Sequence, residues 1–592
     1  MEMVKLIIDG KAVEAPKGAT IVAAAKSLGI TIPTLCHLQM GEVGYKNDCA
    51  SCRVCVVEVE GRRNLAPACA TPVYDGMVVT TNSMKVMQKR KTILELLLSD
   101  HPKDCLVCSK NGECELQDLA MQFGVREIRF AGKESTYRQD VSPSIIRDID
   151  KCIMCRRCET MCNVIQTCGV LSGVNRGFEA VVAPAFEQDL EDTACTYCGQ
   201  CVAVCPVGAL HEADHTWQLV KDLANPAKKV VVQVAPAVRV ALGEEFGYEP
   251  GTNVEGKMIA ALRKLGFDMV FDTNWSADLT IMEEASELID RVTKKLAGDE
   301  DVKLPILTSC CPAWVKFFEH NYPDMLDVPS TAKSPQQMFG AIAKNVWAKE
   351  EGIDKKDLIV VSIMPCLAKK YEASRKEFAD KDGNPDVDYS ISTRELAKLI
   401  KQANINFKGL DDEEVDNPLG SYTGAGVIFG RTGGVIEAAT RTAYEWITGD
   451  TLESVDFNVL RGMESVRVAE VSIPGLDEKL GSKFRIGIAH GLGSARELLD
   501  KIRSGEETVH AIEIMACKGG CVGGGGQPYH HGDFGVIEKR TAGLNSIDEG
   551  KELRKSHENP YIKELYEKHL GKPMSHKAHD LLHTEYFPKR KM

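Results

Sequence analysis

No apolar run in the 592 residues approaches the length of a membrane helix. The start, MEMVKLIIDG, has no signal-peptide pattern and no twin arginine. The expectation is a cytoplasmic protein without membrane contact. Positive charge is in short supply, with 72 Lys and Arg against 85 Asp and Glu and a net charge of -13. That balance argues against nucleic acid and against anionic membrane surfaces as partners. Nucleotide signatures are missing too. Arg431 to Gly449 reads as a glycine loop followed by a helix, but it lacks the lysine of a phosphate loop. No GxGxxG lies between a strand and a helix. The chain therefore predicts no nucleotide or flavin site of its own.

Cysteine is what the chain has in excess. Its 22 cysteines gather in tight runs instead of scattering through a small secreted framework. In a chain with room for several domains and a large core, such runs read as metal binding, and disulfides are the poorer alternative.

Residues 1–79 read as a small β-rich module. VKLIID alternates like a strand, Gly10-Lys11 turns the chain, and AVEA continues the hairpin. Thr20 to Leu28 forms a short amphipathic helix closed by Gly29. Cys36, the pair Cys52-x2-Cys55 and the distant Cys69 have the layout of a plant-type 2Fe–2S ferredoxin with a stretched first gap. Cys49 also forms a CxxC pair with Cys52. The strand VVEVE follows Cys55 directly, so Cys49 reads as a spare thiol. CRVCVVEVEG resembles the 2Fe–2S domain of NADH dehydrogenase large subunits and of hydrogenases, which implies a β-grasp fold. From Met84 to Asp100 apolar residues fall at helical spacing. They lead into His101-x3-Cys105-x2-Cys108-x5-Cys114. A capping histidine or a Cys3His zinc site also accounts for this spacing. It resembles the His-ligated 4Fe–4S domain of the same two families, assigned to residues 80–139.

Residues 140–213 carry one pattern twice: Cys152, Cys155, Cys158 and Cys162, then Cys195, Cys198, Cys201 and Cys205, which Pro206 follows. This is the bacterial two-cluster ferredoxin signature, in which the fourth cysteine of each run serves the other cluster. One cubane is then Cys152, Cys155, Cys158 and Cys205, and the other is Cys195, Cys198, Cys201 and Cys162. Cys168 has no partner in this pattern and reads as a buried apolar residue.

After Asp214 cysteine thins out. KKVVVQVAP, DLIVVSIMPC and FRIGIAHGLG are strand-then-loop segments, with helical stretches such as Ala285 to Lys295 between them. That alternation implies α/β layers over 214–592. Three stretches carry the remaining cysteines in clusters: TSCCPAW with Cys310 and Cys311, MPCLAKKYE with Cys366, and MACKGGCVGGGGQP with Cys517 and Cys521. The glycines of the last let backbone pass close to something bulky. Taken alone, that stretch fits a zinc knuckle or a plain turn equally well.

Together and in this order the three stretches resemble the H-cluster motifs of the FeFe-hydrogenases, and the resemblance runs from about Val230 to the C-terminal end. It implies a 4Fe–4S cubane held by Cys311, Cys366, Cys517 and Cys521, with Cys521 bridging to a two-iron subsite that carries CO, cyanide and an azadithiolate. It implies that Lys369 binds a cyanide, that Pro236, Met364 and Met515 line the pocket, and that Gln336 of SPQQ lies near it. It implies a proton path from Cys310 through Glu284, Ser330 and Glu287 to Arg291. The spacing of Glu284, Glu287 and Arg291 independently places them on one helix face; a solvated salt-bridged face is the bland alternative. LLHTEYFPKRKM resembles the end of some multi-subunit hydrogenases.

The fold expected is multidomain α+β: a β-grasp 2Fe–2S ferredoxin, a His-ligated 4Fe–4S domain, a two-cluster ferredoxin and a large α/β H-cluster domain. The function implied is reversible reduction of protons to hydrogen, fed by one 2Fe–2S and three 4Fe–4S clusters. Expected partners are a ferredoxin, flavin- and NAD(P)-binding subunits, and H-cluster maturation proteins. Two rivals remain open. An electron-transfer subunit of an NADH:quinone oxidoreductase leaves the five C-terminal cysteines unexplained. An iron–sulfur assembly protein does not need Cys310 and the acidic residues of IMEEASE.

Overall fold

The alternation in VKLIID becomes the strand Met3–Ile8, which buries Val4, Leu6 and Ile8. The computed structural model describes residues 2–47, 49–134 and 136–589. Contacts divide the chain into two units, the first comprising Met1–Ile165, Gly169–Thr193 and Val204–His211, the second Gln166–Cys168, Ala194–Ala203 and Glu212–Met592.

In the first unit Met3–Ile8 pairs antiparallel with Lys11–Pro16 and parallel with Val78–Thr80. Val56–Val59 and Ala66–Pro67 complete this five-stranded sheet. The helix Ile21–Ser27, capped by the Thr20 hydroxyl, packs Ile21, Ala24 and Ala25 into the same core as Cys55 and Cys69. The expected second helix is Met84–Ser99, capped by Ser83. Its Arg90 donates to the Val56 carbonyl, tying it to the sheet. Beyond it lie the helix Glu115–Gln122 and two short hairpins, Asp140–Val141 with Ile145–Arg147 and Ser172–Val174 with Val181–Ala183.

The second unit contains two four-stranded sheets. One runs Met269–Asp272, Lys229–Val234, Leu358–Met364, Tyr389–Ser392, all parallel. The other runs Ile306–Leu307, Ala511–Met515, Phe484–His490, with Val466–Val471 antiparallel at its edge. Near-continuous apolar runs such as Leu358–Met364, buried at every residue, are what a parallel strand covered on both faces requires.

Two sequence expectations change in extent. The helix expected at Ala285 to Lys295 is Thr273–Leu296. Its first three turns are buried on all sides, polar residues included, so they show no helical periodicity in the sequence. Cys168 is only partly buried, with its sulfur 3.8 Å from the Thr196 hydroxyl, and is not an enclosed apolar residue. The C-terminal tail forms the helices Pro560–Leu565 and His576–Leu582, and Ile562, Leu565, Leu570, Ala578 and Leu582 pack into a core with Trp275 and Met338. Residues 590–592 of the tail motif lie outside the described residues. No helix among the described residues is long and apolar enough to cross a membrane.

Candidate active site and cluster-binding loops

Parallel strands bring their C-terminal loops together, and here loops from both sheets of the second unit meet. Pro236 follows Lys229–Val234, Cys366 follows Leu358–Met364, Cys310 and Cys311 follow Ile306–Leu307, and Cys517 and Cys521 follow Ala511–Met515. Pro236, Cys310, Gln336, Met364, Cys366, Lys369 and Cys521 line one cavity of about 60 Å³, closed further by Thr273, Ala277 and Phe429. Met515 is buried at the end of its strand but is not among the lining residues. Gly520 has φ 94°, and a Cβ there would lie 2.6 Å from the Thr432 nitrogen. Only glycine fits that step between the last two cysteines.

The thiols of Cys311, Cys366, Cys517 and Cys521 are buried or nearly so, and burial raises the pKa of each. They also act on one another. Cys366 is pushed up to about 12 by burial and then by Cys311, while Cys366, Cys311 and Cys521 all raise Cys517. Cys366 and Cys521 line the cavity while Cys311 and Cys517 stand near them, and four buried thiolates this close need cationic metal to offset their repulsion. An iron–sulfur cluster fits this donor set.

Lys369 sits under the cavity with its ammonium donating to the Cys310 carbonyl at 3.1 Å, Ser334 Oγ at 2.8 Å and Glu372 Oε2 at 2.8 Å. Burial works against its charge, but Glu372 and the thiols of Cys310 and Cys366 outweigh this and raise its pKa. All three protons are engaged, so an anionic ligand at Lys369 would take the place of one of these acceptors. Gln336 donates to the Lys369 carbonyl and to Glu372, and accepts from Ser362. Glu372 and Ser334 escaped sequence reasoning. Glu372 was signalled only by standing three residues after Lys369 on the helix Ala368–Ala373.

The helix Thr273–Leu296 carries the acidic residues. Glu284 Oε1 accepts from the Ser309 nitrogen at 3.3 Å, while Oε2 is buried without a hydrogen bond. Burial pushes Glu284 up to about 8, with Glu287 adding to the rise. Cys310 is raised well above its ordinary value by burial and then by Glu284. Farther along, Ser330 donates to Glu287 at 2.7 Å, and Arg291 bonds Glu287 at 2.5 Å and the carbonyls of Val328 and Pro329. The bonds thus form two groups, Ser309 with Glu284 and Ser330–Glu287–Arg291.

In the first unit Cys36 is lowered by Cys49, then by Cys52 and Cys69, and Cys55 interacts with Cys69. Cys49 is exposed, yet it too acts on Cys36, and its thiol donates to the Cys155 carbonyl at 3.3 Å. Asn47 Nδ2 bonds the carbonyls of Cys36 and Cys155, joining the two cysteine loops directly. Cys152, Cys155, Cys158 and Cys205 line a single small cavity, the crossed grouping that the two runs lead one to expect. Cys114 is raised by burial and by Cys108 and Cys105, which places those three together. His101, at the end of Met84–Ser99, has a buried Nδ1 without a hydrogen bond, and burial with the nearby Lys151 lowers its pKa. It is therefore neutral, the form that binds metal. If His101, Cys105, Cys108 and Cys114 hold a cubane, His101→Cys is expected to keep it but lower its potential, because thiolate brings a charge that imidazole lacks. An EPR-monitored redox titration unchanged from the parent would remove His101 from the ligands.

Residues 228–525 match the family model described as iron only hydrogenase large subunit, C-terminal domain, and residues 535–589 match iron hydrogenase small subunit. Residues 1–84 match a 2Fe–2S iron–sulfur cluster binding domain, 90–129 the NADH-ubiquinone oxidoreductase-G iron–sulfur binding region, and 191–211 a 4Fe–4S binding domain. The chain is 66% identical to the NADP-reducing hydrogenase subunit HndD of Solidesulfovibrio fructosivorans, over the whole of both chains. It is 39% identical to iron hydrogenase 1 of Clostridium pasteurianum over 99% of this chain and 100% of that one. Among solved structures, a variant of the [FeFe]-hydrogenase HydA1 from Chlamydomonas reinhardtii matches with a TM-score of 0.58 and 43% identity, covering 64% of this chain and 99% of that one.

Proposed function

This chain belongs to the iron-only hydrogenase family, and from that premise we propose that it is the catalytic subunit of an NAD(P)-linked assembly, interconverting protons, electrons and hydrogen at an H-cluster. The observation that carries this reading is the set of four thiols, buried or nearly so, beside an apolar cavity that also presents Cys310 and Lys369. Cys311, Cys366, Cys517 and Cys521 would hold the cubane, with Cys521 facing the cavity where the two-iron subsite would lie. When bound, that cofactor supplies the heterolytic cleavage of hydrogen and its reverse. The protein supplies the rest. Pro236, Met364 and Phe429 give the cavity an apolar lining, which disfavours water there. Lys369 places a positive charge beside the thiols and under the cavity, while Gln336 and Glu372 fix its direction. Cys310 would pass protons to and from Glu284, a bridging water would join that pair to Ser330 and Glu287, and the path would end at Arg291, whose guanidinium holds Glu287 in place.

Electrons would travel through a β-grasp 2Fe–2S domain (1–79), a His101-ligated cubane domain (80–139) and the two-cluster ferredoxin domain (140–213), to the catalytic domain (214–592). Cys162 would complete the cluster of Cys195, Cys198 and Cys201. HndD is named as a subunit of an NADP-reducing hydrogenase. The present chain shows no phosphate-loop lysine, so flavin- and NAD(P)-binding partners would carry that chemistry. Ferredoxin is the alternative electron partner. Maturation proteins would install the two-iron subsite in the cytoplasm.

A matured, anaerobically purified sample is expected to show infrared bands of CO and cyanide and to hold roughly 20 irons per chain, the sum over these cluster types. A spectrum without those bands would overturn the hydrogenase reading. An iron content near half that sum would overturn the electron wire.

A further inference from the structure

In the second unit, the loop Cys195–Cys201 presses on the glycine run after Cys517. A Cβ on Gly199 would lie 3.2 Å from the Gly525 Cα, Gln200 donates to the Gly523 carbonyl at 2.9 Å, and the Cys198 thiol is near enough to act on Cys517. A buried cation reaches the Cys195–Cys201 loop. Lys316, on the helix Pro312–Asn321 that starts beside Cys311, is only 5% exposed. Its ammonium donates to the Cys195 carbonyl at 2.7 Å. It lies 4.1 Å from the ring centre of Tyr197 and 4.8 Å from that of Tyr371, and the two rings are 5.1 Å apart. Tyr197 stands between Cys195 and Cys198, and Tyr371 follows Cys366 on the next helix. One buried ammonium, carried by the helix after Cys311, therefore touches the Cys195 loop and the helix after Cys366.

Burying a lysine is costly unless its charge is held. Two tyrosine rings and the Cys195 carbonyl hold the ammonium in place. An iron–sulfur cluster gains negative charge on reduction, and its potential follows the net charge around it. We propose that Lys316 is a fixed positive charge that sets the potential of the cluster carried by Cys195, Cys198 and Cys201, and so governs electron passage between that cluster and the H-cluster. The inference rests on the iron–sulfur reading of these loops. Lys316 acts through the field and is a positioning residue, since it touches no reacting atom.

The test uses the full-length, matured protein, titrated redox-potentiometrically with EPR detection. Lys316→Met removes charge and donor; Lys316→Gln removes the charge but keeps a donor for the Cys195 carbonyl. In both, the ratio of reduced to oxidised cubane at a fixed potential is expected to fall about tenfold for one 4Fe–4S component, the scale of a unit charge a few ångströms from a buried site. Lys316→Arg is expected to titrate like the parent. A merely structural staple would make Lys316→Gln and Lys316→Arg alike. If the cubane assembles in Lys316→Gln and titrates as in the parent, the proposal is wrong; it is equally wrong if Lys316→Arg shifts as far as Lys316→Gln. Should Lys316→Met fail to assemble its clusters, the Gln and Arg variants decide between these outcomes. Missing CO and cyanide bands in the parent would overturn the hydrogenase reading instead, and the cubane titration would still measure the effect of Lys316.

Discussion

Cys310→Ala is expected to leave the H-cluster and its infrared bands in place while hydrogen turnover falls by about a thousandfold or more, within the range of a lost proton-transfer group. The thiol lines the cavity, stands next to Cys311, and is not needed to complete a four-cysteine ligand set. Its raised pKa, caused by burial and then by Glu284, keeps it protonated at neutral pH. It is therefore loaded to deliver a proton inward. Removing one sulfur leaves a small void, with a stability cost of about 1–2 kcal/mol in a core this large. Cluster content should therefore survive. Anaerobic hydrogen evolution and the infrared spectrum, measured on one sample, check both halves. Turnover near the parent rate would show that protons enter by another route.

Glu284→Gln is expected to lower turnover by about a hundredfold to a thousandfold, again with intact cluster bands. The amide preserves volume and the acceptor toward Ser309 but cannot release and regain a proton. The parent should also show a pH signature. Burial raises the Glu284 carboxyl to about 8, so it holds a proton below that pH and loses it above. Cys310 can then be reloaded below about pH 8 and not above. Proton reduction in the parent is expected to decline as pH rises through about 8, and that inflection should be missing from the residual activity of Glu284→Gln. A parent profile flat from pH 6 to pH 9, or an inflection retained in the variant, would remove Glu284 from the path.

Much of the site is legible in the sequence, because ligand chemistry dictates local spacing. A cubane held from one short loop requires cysteines with only two or three residues between them. The runs Cys152–Cys162 and Cys195–Cys205 therefore announce themselves. Tight approach requires glycine, so the run after Cys521 stands out for the same reason. Buried parallel strands require unbroken apolar residues, which makes Lys228 to Pro236 readable.

The structure is needed where partners are distant in the chain or where burial erases periodicity. The start of Thr273–Leu296 is enclosed on every side, so nothing in its pattern marks a helix. Cys168 carries no local mark of its partial exposure. Glu372 matters because folding sets it against Lys369, Ser334 and Gln336 at once. Lys316 is one lysine among many in the sequence. It becomes a charge at a cluster loop only when Tyr197, Tyr371 and the Cys195 carbonyl close around it. Glu284 has an ordinary carboxyl in the unfolded chain and acquires a pKa fit for neutral-pH proton transfer only through desolvation beside Ser309. By itself the sequence determined which atoms can bind metal, since that depends on residue type and local spacing. Tertiary structure alone decided which charges those atoms feel, because field and desolvation depend on distances through space.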